Sequence, residues 1–194
     1  MRKLKLQVQM SVDGFVGGPN GELDWMTWNM DDKLQEYINS LTDSSDTILL
    51  GRKMADGFIR HWTSMLSRPN DESYSFAKKM VDTPKVVFTK TLDETNPMVM
   101  GWYNTSLAKG NIEDDVNALK KVNGNDIIVY GGANFVSSLI AADLIDELHL
   151  FVNPAAIANG LKIFTQRTKL LLQNSTLYEC GINVSVYKPA RKTA

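Results

Sequence analysis

Residues 126–140, DIIVYGGANFVSSLI, decide the fold. Positions 126–130 read as a strand, because Ile127, Ile128 and Val129 are β-branched and apolar. Gly131 and Gly132 follow at once, and then Phe135, Val136, Leu139 and Ile140 recur at helical spacing. A glycine pair between strand and helix lets a ligand approach the backbone with no Cβ in the way. The first turn of the helix offers free N–H groups and a positive dipole end, which suit a phosphate. A tight strand-to-helix turn with no ligand would use the same residues, so this stretch by itself leaves both readings open.

Two other strands end in a related way. Residues 47–50, TILL, form a short apolar strand closed by Gly51-Arg52-Lys53-Met54. Residues 85–89, KVVFT, are followed by Lys90. In a parallel sheet these ends share one edge, the edge where α/β proteins bind ligands. Together they predict a positive, glycine-lined trough with Arg52, Lys53 and Lys90 available to phosphates. A dinucleotide with an extra ribose phosphate fits that charge. Solvated cations at helix starts are the competing explanation for each segment taken singly.

Strands alternate with helices up to about Asp143 and then follow one another. This pattern predicts an α/β fold with a largely parallel sheet, helices on both faces and an antiparallel C-terminal edge. The first strand, residues 4–10, alternates Leu4, Leu6, Val8 and Met10 with Lys5, Gln7 and Gln9. A long loop with Gly14, Gly17, Gly18 and Gly21 follows it and is a candidate lid. Asp31 and Asp32 open a helix with a stripe of Leu34, Tyr37, Ile38 and Leu41. Capping explains such an acidic pair, and the alternative is that one carboxylate faces a pocket. Phe58 and Trp62, at i and i+4, are either core or pocket wall. Residues 99–103 read as a further strand. Asn111 caps a helix that carries Glu113, Asp114 and Asp115 in its first turn. Residues 170–178 and 181–187 read as a hairpin.

A chain of 194 residues suits one domain, here 1–188, with a polar tail at 189–194. The 21 basic and 22 acidic residues leave a net charge of −1, which argues against a nucleic-acid or membrane surface. One cysteine, Cys180, excludes an internal disulfide, and His61 and His149 lie too far apart to suggest a metal site. The N-terminus is not a signal peptide, and no apolar run is long enough to span a bilayer. The expectation is a soluble cytoplasmic protein.

Residues 11–16 (SVDGFV) with the later Trp25, then residues 49–54 (LLGRKM), 87–90 (VFTK) and 129–133 (VYGGA), resemble the dihydrofolate-reductase-like family. More closely, they resemble the C-terminal reductase domain of the bifunctional riboflavin-biosynthesis deaminase-reductase and its stand-alone bacterial relatives. Residues 146–164 have the look of that domain's closing segment. The resemblance implies a three-layer α/β/α dihydrofolate-reductase-like fold and NADPH as hydride donor. It also implies a small pteridine- or pyrimidine-like acceptor, a homodimer, and a cis peptide between Gly131 and Gly132. Carried over by position, Ser11 and Trp25 would lie near the nicotinamide. Gly51, Arg52, Lys53 and Met54 would take a phosphate role, and Thr89 and Lys90 would meet the ribose phosphate. Tyr130, Gly131, Gly132, Ala133, Asn134 and Phe135 would contact the pyrophosphate and the nicotinamide end. Asp32 is the expected proton donor, with Asp31 or a water as alternatives, and Asp13, Trp28, Phe58 and Trp62 are expected beside the substrate. Met54 stands where relatives commonly carry Thr, and Asp56-Gly57-Phe58 replaces the Asp-x-Pro of the riboflavin reductase.

Overall fold

The first strand, β1 (Leu4–Ser11), sits near the middle of the sheet rather than at an edge. The computed structural model describes residues 1–190, and the other elements follow β1 in chain order. They are α1 (Asp32–Asp43), β2 (Ser45–Gly51), α2 (Arg52–Met65), α3 (Tyr74–Asp82), β3 (Lys85–Phe88), α4 (Pro97–Met100) and β4 (Thr105–Ala108). After these come α5 (Ile112–Lys121), β5 (Asp126–Val129), α6 (Ala133–Ala141), β6 (Glu147–Asn153), β7 (Leu170–Leu177) and β8 (Asn183–Pro189).

The eight strands lie in the order β4-β3-β2-β5-β1-β6-β8-β7. Strands β1 to β6 are mutually parallel, and β8 and β7 add an antiparallel edge. The chain steps outward from β1 through β2 and β3 to β4, then returns to place β5 between β2 and β1. Right-handed crossovers put helices of the outward and return journeys on opposite faces. The packing agrees: α1, α2 and α3 bury Leu41, Ile59 and Met80 against Ile48, Leu50, Val87 and Ile128. On the other face α5 and α6 bury Val116, Val136 and Leu139 against Leu4, Leu6, Leu49, Ile127 and Val129. The three-layer α/β/α architecture is therefore as expected. Each fully buried Leu or Ile contributes about 1.5–3 kcal/mol relative to exposure, so both faces are anchored.

Three expectations are corrected. Residues 99–103 do not form a strand; Asn96 accepts the Met98 N–H, Pro97 begins the single turn α4, and the strand lies further on at β4. The cap and the first-position proline outweigh the β-propensity of that segment. The peptide between Gly131 and Gly132 is trans, as are all peptides among the described residues. Positive φ at both glycines, 141° and 85°, makes the sharp turn instead. The tail does not begin at Pro189, which pairs with Leu170 as the last residue of β8, and the Ala190 N–H donates to the Lys169 carbonyl. The rest of the predicted tail, residues 191–194, lies outside the described residues.

Candidate functional site

Parallel pairing brings the carboxyl ends of six strands to one rim. Across it run Ala108, Phe88, Gly51, Val129, Ser11 and Asn153, in strand order. The three strand ends singled out in the sequence are adjacent, on β3, β2 and β5.

The middle of this rim is a paired device. Gly51 is the N-cap of α2 and Gly132 is the N-cap of α6, and neither helix has a side-chain cap. Neither carries an acidic residue in its first turn, and α2 opens with the exposed cations Arg52 and Lys53. Two open helix starts therefore point free N–H groups at one place, with positive charge beside them. The glycines are needed for close approach. A Cβ on Gly51 would lie 2.6 Å from the Phe135 Cβ, so β2 and α6 could not meet there with any other residue. Met54 covers the glycine pair, its sulfur 3.7 Å from where a Gly131 Cβ would stand. Gly51, Arg52, Lys53, Met54, Gly131, Gly132, Ala133, Asn134 and Phe135 thus gather at one spot, with Phe135 against Phe88 at a ring separation of 5.0 Å.

Other expected residues have different work. The buried Ser11 hydroxyl donates to the Asp13 carboxylate at 2.6 Å and accepts from the Phe15 N–H. Asp13 also accepts from the N–H groups of Ile157 and Ala158, and these bonds hold its carboxyl below the usual carboxylate range, the Ser11 hydroxyl contributing most. Ser11 and Asp13 therefore latch the loop after β1 to the loop after β6. Backbone bonds between Val16 or Gly17 and Leu161 extend the latch. Thr89 spends its hydroxyl accepting from Thr91 and Leu92 N–H groups. The Lys90 ammonium donates to the carbonyls of Lys109 (2.8 Å) and Gly110, tying β3 to β4.

Phe58 and Trp62 are half-buried members of an aromatic chain. Phe58 stacks on Tyr130, and Trp62 meets Phe58 and Phe76 edge-on. The Tyr130 hydroxyl pairs with Thr42 at 3.0 Å, so this ring links β5 to α1 and α2 together, and burial pushes its pKa up. Trp25 donates its indole N–H to the Glu22 carbonyl within its own loop, and Trp28 is 67% exposed. Asp31 is the cap of α1: it accepts from Leu34 N–H and, across from β7, from Cys180 N–H, which lowers its pKa. Asp32 is exposed on the first turn, without the burial a proton donor would need at neutral pH.

The structure adds residues that sequence reasoning missed. On the α1 side of β1 stand Lys5, Gln7 and Gln9, beside Glu147, His149 and Phe151 of β6. Gln7 and Gln9 remain part-exposed although β1 is a central strand, so this face is not sealed by its helices. Burial pushes Tyr37 up to about 12 and His149 down to about 4. The Tyr37 hydroxyl and His149 Nδ1 share a hydrogen bond of 2.6 Å, and Nε2 of the imidazole lies 3.7 Å from the Glu147 carboxylate. That Nε2 and the Gln7 Oε1 are buried without hydrogen-bond partners. The available signal was the alternation of Lys5, Gln7 and Gln9 with apolar residues, which fits a half-solvated strand better than a central parallel one.

The RibD C-terminal domain matches residues 2–184 of the chain. The protein YyaP of Bacillus subtilis, described as uncharacterized, is 31% identical over 191 residues, covering 96% of this chain and 94% of that protein. YwjB of the same organism, also uncharacterized, is 26% identical over 180 residues, covering 90% and 91%. Among solved structures, a putative riboflavin biosynthesis protein from Shewanella superposes with a TM-score of 0.67 at 21% identity, covering 98% of this chain and all of that one. A diaminohydroxyphosphoribosylaminopyrimidine deaminase/5-amino-6-(5-phosphoribosylamino)uracil reductase from Thermotoga maritima gives 0.67 at 13% identity, with 97% of this chain covering 57% of that one. A pyrimidine reductase-like protein from Corynebacterium diphtheriae gives 0.64 at 15%, covering 98% and 93%. At these identities the structures establish a shared fold. With the sequence match running from the second residue into the last strand, the chain belongs to the RibD C-terminal domain family.

Proposed function

We propose that the protein is an NADPH-dependent reductase acting on a C=N or C=O bond of a small pteridine- or pyrimidine-like heterocycle. The observation that carries this reading is the pair of glycine-capped, acid-free helix starts at the adjacent ends of β2 and β5, with Arg52 and Lys53 beside them. That cradle fits a pyrophosphate, and an exposed guanidinium beside an ammonium fits a ribose phosphate. When bound, the coenzyme supplies the hydride.

The chain's own residues hold and orient. Ala133 and Asn134 present backbone N–H groups at the start of α6, and Gly51 keeps the approach open. Met54 and Phe135 exclude water around the glycine pair. Thr27, whose N–H donates to Asn153 at 2.8 Å, pins the Trp25–Trp28 segment to the end of β6. With Asp31 committed to capping and Asp32 exposed, the proton for the reduced substrate comes from water.

The test is a thermal-unfolding series with NADPH and NADH, followed by oxidation at 340 nm with pteridine, pyrimidine and simple carbonyl acceptors. Protection by NADPH above NADH with turnover of a heterocycle is expected. No protection by either coenzyme rejects the reading. Protection without turnover favours a second reading, a non-catalytic NADP(H)-binding module, which the lack of a buried acid at positions 31 and 32 supports.

We also propose a homodimer. The edge strand β7 leaves Leu171, Leu172 and Leu177 exposed at 50%, 57% and 72%, apolar side chains that an unpaired edge rarely carries alone. Among the described residues no helix is long and apolar enough to cross a membrane.

A further inference from the structure

We infer that Gln9 reads the substrate, its carboxamide nitrogen donating to a carbonyl acceptor on the ring that is reduced. The orientation of that amide follows from a chain of bonds with one fixed end. The Thr27 backbone N–H can only donate, and it donates to Asn153 Oδ1 at 2.8 Å. Asn153 must therefore turn its Nδ2 the other way, where it donates to Gln9 Oε1 at 2.7 Å and to the Phe151 carbonyl at 3.1 Å. Gln9 is left with its oxygen engaged and its NH₂ directed away. That nitrogen has no protein partner, and it is not among the buried unpartnered atoms. It is an accessible donor on a central strand, two residues below the rim.

Its surroundings support a ligand rather than bulk water. Asn153 is fully buried, so the group that sets the amide is rigid. Phe151, paired with Gln9 on β6, is apolar and fully buried, so the glutamine stands against an apolar neighbour. No carboxylate is bonded to Gln9, which leaves the position a donor with no competing acceptor. A floor of this kind selects a neutral ring with a carbonyl acceptor over one that presents amino donors in the carbonyl positions, since donor would then face donor.

This inference rests on the reductase reading, but its test does not depend on turnover. Two probes are titrated by chemical shift, with and without NADPH: 1,3-dimethyluracil, which has carbonyl acceptors and no donor, and 2,4-diaminopyrimidine, which has amino donors. Gln9→Glu keeps the Asn153 contact through one oxygen and replaces the free donor by an acceptor. The wild type is expected to prefer dimethyluracil, and Gln9→Glu to shift the ratio of the two affinities by about tenfold or more toward diaminopyrimidine. Gln9→Met should weaken dimethyluracil without improving diaminopyrimidine. Damage to the fold alone cannot reverse a preference, and an unchanged NADPH affinity in both variants separates the floor from the coenzyme cradle. An unchanged ratio in Gln9→Glu, or a wild type that binds neither probe, overturns the inference, whereas a wild type that binds probes but no coenzyme overturns the reductase reading alone.

Discussion

Helices α5 and α6 begin on the same rim, and their first turns are chemical opposites. At α5, Asn111 accepts from Glu113 and Asp114 N–H groups, three acidic residues fill the first turn, and Asp115 reaches back to the Gly110 N–H. The helix closes its own positive end. At α6, Gly132 supplies no side-chain cap and the first turn carries no charge, and α2 beside it likewise has a glycine cap and no acid there but opens with Arg52 and Lys53. Capping is worth about 1 kcal/mol, so two neighbouring helices that forgo it mark a place where something else completes them. The contrast locates a site better than the glycines alone, because a tight turn requires glycine but does not require an empty cap.

Giving α6 the charge that α5 carries is the most severe perturbation. Ala133→Asp should cost on the order of 100-fold in NADPH affinity while leaving the melting temperature unchanged or slightly raised, read by calorimetry and thermal unfolding. Retained affinity would mean the coenzyme does not use this helix start. Removing both cations, Arg52→Ala with Lys53→Ala, should weaken NADPH about tenfold or more and NADH far less, as charge-assisted contacts to the extra phosphate would require. Equal losses for the two coenzymes would place these cations elsewhere. Asn111→Ala should cost about 1 kcal/mol of stability in urea titrations and nothing in coenzyme binding.

The smallest effect sharpens the same contrast through pH. The Asp31 carboxyl is lowered by the N–H groups it accepts in the folded state. Its contribution is present above the ordinary carboxylate pKa and is lost as pH falls through the lowered value. Asp31→Asn should flatten that acid-side loss, whereas no substitution at Gly51 or Gly132 should touch it. Urea midpoints between pH 5 and 2.5 read the difference.

Much of this was legible in the sequence for a local reason. A strand, a glycine pair and a helix stripe are consecutive, so residues 126–140 declare themselves without knowledge of the rest. The shared rim was legible because parallel strands must align their carboxyl ends. What the sequence could not show depended on partners distant in the chain. Lys90 looked free until the Lys109 and Gly110 carbonyls arrived beside it, and Thr89 was absorbed by the turn it begins. Phe58 and Trp62 found Tyr130 and Phe76. Ser11 and Asp13 met each other and a loop some 145 positions away. Gln9 and His149 were invisible as a site because strand order, not strand pattern, places β1 and β6 side by side.

Asn153 holds Thr27 with one atom and Gln9 with another. The Trp25–Trp28 segment and Gln9 are thus tied to one buried amide, so a change at Asn153 reaches both. The Phe151 carbonyl, which can only accept, holds the Asn153 nitrogen as well, so the sense of the Gln9 amide is anchored from two sides.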